Sequence, residues 1–293
     1  MGVKKVVVAP ESGFCYGVQR AMDMVERALR NGQKIALLGP IIHNPIVIKQ
    51  LEMQGARIIE KVSEAKDDEI VFIRSHGVPP DIYEEIKKRN LRYIDATCPF
   101  VARAQRIVRE MSQKNFQVVI IGKKHHPEVV GLRGYAKDPV VVTEPFEVEK
   151  LSLKNKIAVV VQTTFRKDVF EECLKKMMEK KFEEIHIFNT RCFTTDRRQE
   201  EVKKLSKYAD MVIVIGGKMS SNTRRLYEIA RKYGKKAYHI EDIPDIEKEW
   251  FKGVEVVGIC AGASTPFWLV EKVVKWIKKE VKGNAGEYTV TNV

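Results

Sequence analysis

The chain has 293 residues, of which 44% are hydrophobic and 31% are charged, and its formal net charge is +13. This hydrophobic content is typical of a globular protein and excludes a disordered chain, and every apolar run is too short to span a bilayer. The excess of basic residues favours an anionic partner, although interleaved Lys and Glu are also typical of solvated helices. No basic block or nucleic-acid motif accompanies the charge.

Residues 1–10 form a short strand-like run that is interrupted before a signal peptide could develop, so we expect the protein to be cytosolic. The five cysteines are an odd number and are scattered along the chain. A disulfide framework is therefore not expected in a reducing compartment.

From the N-terminus onward, strand-like and helix-like segments alternate, and the alternation repeats three times. In each repeat an apolar strand leads through a polar turn to a cysteine, which is followed by an Arg-bearing amphipathic helix. The three predicted strands are residues 6–8, 93–95 and 185–188, and they lead to Cys15, Cys98 and Cys192. The strand after each helix ends in glycine, and the spacing between cysteine and glycine is the same in all three repeats. The glycines are Gly39, Gly122 and Gly216.

Strands that alternate with helices predict small parallel α/β units. We predict one unit at residues 1–97, a second at 98–191 and a third at 192–281, with a C-terminal tail at 282–293. Because ligands bind beyond the carboxyl ends of parallel strands, the cysteines and polar turns of the units are expected to meet. The predicted fold class is thus α/β, with three similar units and mostly parallel sheets in a pseudo-threefold arrangement around one central site.

Cys15, Cys98 and Cys192 are candidate metal ligands. Cys173 and Cys260, in a Lys-rich helix and at the end of an apolar strand, instead fit small buried hydrophobic residues. A nucleophile requires only one thiolate, and zinc usually takes closely spaced ligand pairs, which this chain lacks. A 4Fe–4S cluster takes four ligands, so three cysteines would leave one iron open to a substrate oxygen. The pattern favours the iron–sulfur cluster and leaves zinc as the alternative.

Polar residues at the turns of the three repeats are candidate anion ligands, because helix N-termini favour negative charge. Singly, each could equally be an ordinary helix cap or a structural histidine. The candidates are His43, Asn44, His76, His126, Thr163, Ser220, Ser221, Asn222 and Ser264. Glu128 either complements the dipole of its helix or relays a proton beside Thr163; the sequence leaves both open.

Eight segments of the chain together resemble one enzyme family. They are GFCYGVQRA (13–21), HNP (43–45), SHGV (75–78), DATCP (95–99), HPEV (126–129), QTT (162–164), SSN (220–222) and GASTP (262–266). In this order they resemble the 4-hydroxy-3-methylbut-2-enyl diphosphate reductases, the LytB-type iron–sulfur enzymes. The resemblance covers nearly the whole chain.

The resemblance implies an oxidoreductase that removes the allylic hydroxyl of 4-hydroxy-3-methylbut-2-enyl diphosphate and yields isopentenyl and dimethylallyl diphosphates. This is the last step of the non-mevalonate pathway of isoprenoid biosynthesis. It implies a 4Fe–4S cluster with three cysteine ligands, Cys15, Cys98 and Cys192, and one open iron. Glu128 would supply protons, Thr163 would lie near the substrate hydroxyl, and His126 would act with them. The implied substrate-binding residues are His43, Asn44, His76, His126, Thr163, Ser220, Ser221, Asn222 and Ser264.

The implied partners are the small-molecule diphosphate and an acidic electron donor, reduced ferredoxin or flavodoxin, which a basic surface would steer. No nucleic acid and no membrane are expected as partners. One departure lies at the third cysteine, where the family usually reads Asp-Thr-Ile-Cys and this chain has Asn189 and Arg191. Local polarity there, and with it the redox potential, is expected to differ.

Three other functions remain to be separated from this one. An electron-transfer or regulatory iron–sulfur protein would have no diphosphate affinity. A basic nucleic-acid-binding protein with inert cysteines would bind nucleic acid in a salt-sensitive way and contain no iron. A zinc-dependent hydrolase would be recognised by its metal content.

Overall fold

The computed structural model describes residues 2–281 and residues 287–290. In this part of the chain the helices are α1 (Tyr16–Arg30), α2 (Pro45–Met53), α3 (Pro80–Lys88), α4 (Pro99–Gln113), α5 (Pro127–Arg133), α6 (Pro145–Glu149), α7 (Lys167–Met178), α8 (Phe193–Tyr208), α9 (Ser221–Tyr233) and α10 (Phe267–Glu280). The strands are β1 (Lys5–Val8), β2 (Ile35–Leu38), β3 (Arg57–Ile59), β4 (Ile70–Ile73), β5 (Arg92–Asp95), β6 (Gln117–Ile121), β7 (Val140–Val142), β8 (Lys156–Val161), β9 (Glu184–Phe188), β10 (Met211–Ile215), β11 (Ala237–Ile240), β12 (Val256–Ala261) and β13 (Glu287–Val290).

The strands form three sheets, in which every neighbouring pair is parallel. The strand orders are β3-β2-β4-β5, β7-β6-β8-β9 and β11-β10-β12-β1-β13. Parallel strands require crossover connections, and helices supply most of them here. The predicted α/β class, with three similar units built on parallel sheets, is confirmed.

The chain divides into two compact units. The first, which we call the terminal unit, comprises Met1–Gln19, Ile42–Leu51 and Phe193–Val293. The second, the central unit, comprises Arg20–Ile41 and Glu52–Cys192.

In the terminal unit the five-stranded sheet is covered on both faces. Val6 and Val8 of β1 pack in one hydrophobic cluster with residues of α10, and Val7 packs in another with residues of α8 and α9. Successive side chains of a strand point to opposite faces, so a short run of valines can serve two cores at once. Such continuous apolar strands are typical of parallel sheets buried on both faces.

The central unit contains the two four-stranded sheets. Their strands are equally apolar: β2 and β4 are buried at every position, and β8 is buried at every position after Lys156. Separate hydrophobic clusters surround each sheet. The polar residues that follow the strands are therefore the first groups of each segment that can reach a ligand.

One strand departs from the predicted units. We assigned residues 6–8 to the unit at 1–97, but β1 pairs with β12, Lys5 opposite Val256 and Val8 opposite Ile259. In this position β1 is equivalent to β5 and β9, which occupy the same place beside β4 and β8. Each strand that leads to a cysteine thus joins a sheet whose other strands come before it in the chain, for β5 and β9, or after it, for β1. The predicted boundaries near residues 97 and 191 stay predictions.

Part of the predicted C-terminal tail belongs to a sheet. Residues 287–290 form β13, which pairs in parallel with β1 along its whole length. Residues 282–286 and 291–293 of the predicted tail lie outside the described residues.

Prolines mark where many of the helices begin, because proline lacks the N–H that is unpaired in a first turn and already has a helical φ. The first helical residues of α2 to α6 are Pro45, Pro80, Pro99, Pro127 and Pro145. Among the helices within residues 2–281, none combines the length and apolar character needed to cross a membrane.

Candidate active site

Each of the three candidate metal ligands directly precedes a helix. Cys15 precedes α1, Cys98 is the N-cap of α4, and Cys192 precedes α8. Each sulfur therefore lies on the residue that joins a polar turn to the start of a helix. The three cysteines are half-buried, which leaves their side chains accessible to a ligand.

The backbone N–H of each cysteine donates to a backbone carbonyl that lies two residues beyond the end of a strand, namely β12, β4 or β8. The three bonds are Cys15 to Ala263 (3.0 Å), Cys98 to Ser75 (3.0 Å) and Cys192 to Thr163 (2.8 Å). The acceptors belong to the segments GASTP, SHGV and QTT of the sequence. The same backbone contact thus orients the cysteine in all three repeats.

The remaining two cysteines are in a different environment. Cys173 is fully buried in the core around α7, and Cys260 is 1% exposed within β12. Burial raises the pKa of Cys173 to about 12 and also raises the pKa of Cys260. Because the thiolate is the form that binds metals, these two thiols are poor ligands, as the sequence indicates.

In the central unit, Glu128 is bound by Thr163 through two hydrogen bonds. The Thr163 backbone N–H donates to Oε1 at 2.7 Å, and the Thr163 hydroxyl donates to Oε2 at 2.6 Å. Glu128 lies in the first turn of α5 and is only 2% exposed. Burial raises the pKa of Glu128 to about 7, although the two bonds from Thr163 lower it. Glu128 therefore points into the protein toward Thr163, as a proton relay requires.

His126 is the N-cap of α5, and its Nδ1 accepts the Glu128 backbone N–H at 3.2 Å. In the neutral imidazole the ring proton is then on Nε2, which is a donor. The His76 ring packs edge-to-face against His126, with ring centroids 5.6 Å apart. The central unit thus brings together His76, His126, Glu128 and Thr163, which the sequence spreads over almost ninety residues.

In the terminal unit, a second set of polar residues lies around the loop before α2. Asn44 caps this helix, because its Oδ1 accepts the N–H groups of Ile46 (3.1 Å) and Val47 (3.3 Å). The Ser264 hydroxyl donates to the His43 carbonyl at 3.1 Å. The β10–α9 loop approaches the same carbonyl, since a Cβ on Gly217 would lie only 2.7 Å from it.

The β10–α9 loop carries three more of the predicted residues. Ser220 is the N-cap of α9, and its Oγ accepts the Thr223 N–H at 3.3 Å. Ser221 and Asn222 are the first two residues of this helix. The loops that carry His43, Ser264 and Ser220 therefore converge within the terminal unit.

Two asparagines of the terminal unit have buried amide atoms without a hydrogen-bond partner. Both amide atoms of Asn222, which is 5% exposed, lack one, and so does Nδ2 of Asn44. Buried polar atoms are nearly always hydrogen-bonded in native proteins, and leaving one unpaired costs about 1–3 kcal/mol. These atoms are available for a polar ligand at the start of α9 and α2.

Arg198 is a buried polar residue of the terminal unit to which the sequence analysis assigned no role. It lies on α8 and is 4% exposed. The sequence does contain a signal, because Arg198 is spaced helically with Thr195, Val202 and Leu205, the buried stripe of α8. A charged residue at a position of such an apolar stripe is predicted to be buried.

The chain is similar to one protein family over almost its whole length. The family model described as LytB protein matches residues 6–278. A relative from Geotalea uraniireducens is 44% identical over 280 residues, which cover 94% of this chain and 97% of the relative. A relative from Aquifex aeolicus is 40% identical over 283 residues, or 95% of this chain and 97% of the relative. Both carry the name 4-hydroxy-3-methylbut-2-enyl diphosphate reductase.

Two solved structures are similar over almost the whole chain. One is an (E)-4-hydroxy-3-methyl-but-2-enyl diphosphate reductase described as the terminal enzyme of the non-mevalonate pathway; it is 39% identical, with a TM-score of 0.72 over 95% of this chain and 100% of its own. The other is the E-1-hydroxy-2-methyl-but-2-enyl-4-diphosphate reductase from Plasmodium falciparum; it is 31% identical, with a TM-score of 0.88 over 95% of this chain and 89% of its own. The match to the family model, and the identity to relatives over nearly their full length, show that the chain belongs to the LytB protein family.

Proposed function

We propose that the chain is a 4-hydroxy-3-methylbut-2-enyl diphosphate reductase that forms isopentenyl and dimethylallyl diphosphates in the non-mevalonate pathway. Members of the LytB family are iron–sulfur oxidoreductases of isoprenoid biosynthesis. The reaction removes the allylic hydroxyl as water and consumes two electrons and two protons. It therefore needs a centre that delivers electrons, a proton donor and a site for the diphosphate.

One observation carries the proposal: Thr163 connects a proton donor to a candidate metal ligand. Its side chain and N–H bind Glu128, and its carbonyl accepts the N–H of Cys192. A carboxyl group with a pKa of about 7 exists in both protonation states near neutral pH, which suits general acid catalysis. In this chain such a group is held beside the cysteine turn of the same unit.

The cysteines fit an iron–sulfur cluster. Cys15, Cys98 and Cys192 would hold it, because they are half-buried thiols with equivalent backbone contacts, whereas Cys173 and Cys260 are enclosed in cores. Thiolates are the usual protein ligands of iron–sulfur clusters. A bound 4Fe–4S cluster with these three ligands would supply low-potential electrons and one open, Lewis-acidic iron.

The protein's own residues would bind and orient the substrate and deliver protons. Glu128, in its protonated form, would give a proton to the leaving hydroxyl, and Thr163 would keep the carboxyl group oriented toward it. The buried environment of Glu128 excludes bulk water from this step. His126 would act with this pair through its Nε2 donor.

The diphosphate would be bound by neutral hydrogen-bond donors. Imidazole, hydroxyl and amide groups at helix N-termini suit a diphosphate, and the unpaired amide atoms of Asn44 and Asn222 support this assignment. The proposed ligands are His43, Asn44, His76, His126, Thr163, Ser220, Ser221, Asn222 and Ser264.

The electron donor we propose is reduced ferredoxin or flavodoxin. Both are usually acidic, and the net charge of +13 would raise their rate of encounter with this protein. The cytosolic location predicted from the sequence stays part of this proposal.

The metal content of anaerobically purified protein tests the proposal. We expect a brown protein with about four irons per chain, which turns over the allylic diphosphate when a chemical reductant is supplied. Cys98→Ser should abolish the colour and the iron, whereas Cys173→Ser, in the same compact unit, should retain both. Circular dichroism would verify that both variants fold.

Two results would contradict the proposal. The first is zinc, or no metal, in protein that has been reconstituted anaerobically with iron and sulfide. The second is an iron–sulfur protein that neither binds nor reduces the diphosphate, which would indicate an electron-transfer or regulatory protein.

A further inference from the structure

Arg198 has a positive charge enclosed in the terminal unit with few hydrogen bonds. Its Nη1 donates to the Ala261 carbonyl at 3.2 Å, and its Nε is buried without a partner. Burying a charge is costly unless other groups compensate. The groups close to this guanidinium therefore indicate which negative charge it stabilises.

The two nearby carboxylates also have other partners. Glu11 forms an ion pair with Arg197 at 2.9 Å, and Glu201 accepts the Glu11 backbone N–H at 3.0 Å. Burial lowers the pKa of Arg198, and the strongest opposing interaction comes from Cys15, ahead of Glu11 and Glu201. A negative charge at Cys15 would therefore stabilise the charged form of Arg198, as those at Glu11 and Glu201 do.

Backbone contacts hold Arg198 and Cys15 against the same segment. Arg198 bonds the carbonyl of Ala261, the last residue of β12, and the Cys15 N–H bonds the carbonyl of Ala263. A single residue, Gly262, therefore separates the two anchor points. Both contacts lie within the terminal unit, so its fold fixes the guanidinium beside the Cys15 turn.

We propose that Arg198 is a positioning residue whose buried positive charge raises the reduction potential of the iron–sulfur centre that Cys15 helps to hold. The inference rests on the proposed function. When a low-potential one-electron donor protein with an iron–sulfur or flavin group delivers an electron, the donor is oxidised and the centre gains one negative charge. No covalent bond forms or breaks in that step. Arg198 stabilises the added charge, and in a buried environment this stabilisation is only weakly screened.

The adjacent arginine is a matched control. Arg197 lies on the same helix and has the same charge, but its side chain is 64% exposed and paired with Glu11. Arg197→Gln and Arg198→Gln therefore change the net charge equally. Only the buried position should influence the centre, because solvent screens the exposed one.

The test is a redox titration of the anaerobic holoenzyme, followed by electron paramagnetic resonance. Arg198→Gln should shift the midpoint potential to more negative values, whereas Arg197→Gln and the charge-conserving Arg198→Lys should leave it near the wild-type value. Equal potentials in wild type and Arg198→Gln would overturn the inference. So would a shift in Arg198→Lys as large as that in Arg198→Gln, because it would indicate a role of shape rather than charge.

A second variant covers the case in which Arg198→Gln loses its cluster. Glu201→Gln removes a negative charge that partly cancels the field of Arg198, so the midpoint potential should become less negative. An unchanged or more negative potential would contradict the inference. Iron analysis separates the two hypotheses. Wild-type protein without iron would overturn both the proposed function and this inference. A full cluster whose midpoint potential does not depend on Arg198 would overturn this inference alone.

Discussion

The Thr163 hydroxyl donates a 2.6 Å hydrogen bond to Oε2 of Glu128, while the N–H of the same residue donates to Oε1 at 2.7 Å. Both bonds favour the ionised carboxylate. Burial favours the neutral acid and is the larger effect, so the pKa of Glu128 rises to about 7. Thr163 therefore orients the carboxyl group and also limits how far its pKa rises.

The first prediction concerns Glu128→Gln. Glutamine can preserve much of the shape but cannot supply an acidic proton, so kcat should fall roughly 10²–10⁴-fold, the usual contribution of a general acid, with little change in KM. In the wild type, kcat should decrease as pH rises through about 7, because Glu128 then loses its proton. Steady-state kinetics between pH 5.5 and 9, measured at steps of about one pH unit, would show both effects.

Glu179→Gln is the control for this substitution, since Glu179 lies exposed at the end of α7 in the same compact unit. Its kinetics should match the wild type. A Glu128→Gln enzyme with more than about a tenth of the wild-type kcat would exclude Glu128 as the essential acid.

The second prediction separates the two bonds from Thr163. Thr163→Val removes the hydroxyl and keeps the backbone N–H, so a bond that lowers the pKa of Glu128 is lost. The decrease in rate on the alkaline side should then move to higher pH. Thr163→Ser retains the hydroxyl and should leave the pH profile in place. Identical profiles for the valine variant and the wild type would show that the hydroxyl does not influence the proton donor.

The third prediction concerns the unpaired amide of Asn222. Asn222→Ala should weaken diphosphate binding by about 1–3 kcal/mol, the usual effect of losing a partner for a buried polar group, which is roughly a 5- to 150-fold rise in KM or in product Kd. The thermal stability of the ligand-free protein should not fall, because the substitution removes buried amide atoms that have no hydrogen-bond partner there.

Asn155→Ala is the surface control, since the Asn155 side chain bonds the exposed Glu183. It should bind the diphosphate as the wild type does. A loss of stability in Asn222→Ala without any change in diphosphate affinity would show that the amide has a structural role instead.

The repeats in the sequence predict much of the fold and the position of the cysteines. Equal spacing from cysteine to glycine implies that each repeat forms the same strand–turn–helix segment, and the structure shows the same backbone contact at Cys15, Cys98 and Cys192. Continuous apolar strands similarly predict parallel sheets. These features depend on local sequence, which is why they could be read without coordinates.

Features that depend on distant pairing were not predictable. Nothing in the local pattern of β1 specifies that it pairs with β12, about 250 residues later, rather than with the sheet of its own predicted unit. The orientation of Glu128 was open for the same reason, because its partner Thr163 lies 35 residues away. Arg198 could have been recognised from its helical spacing, but the partners that give it a purpose are again remote in sequence.

The last prediction concerns Gly216, which directly follows β10 and has a φ of +141°, a conformation that L-residues rarely adopt. A Cβ there would clash with Oγ1 of Thr265 and lie 3.0 Å from Oγ1 of Thr223, and both threonines are fully buried. Gly216→Ala should therefore lower the free energy of unfolding by more than about 2 kcal/mol, because overpacking adds to backbone strain.

Gly32→Ala separates the two causes, since Gly32 also has a positive φ, +68°, but a Cβ there meets nothing within 4 Å. Its cost should be only the backbone strain, about 1 kcal/mol. Urea unfolding of the three proteins would compare them. Equal destabilisation by both substitutions would show that the contact with Thr265 relaxes easily, whereas a larger effect at Gly216 would show that the β10 turn is tightly packed against the segment that orients Cys15.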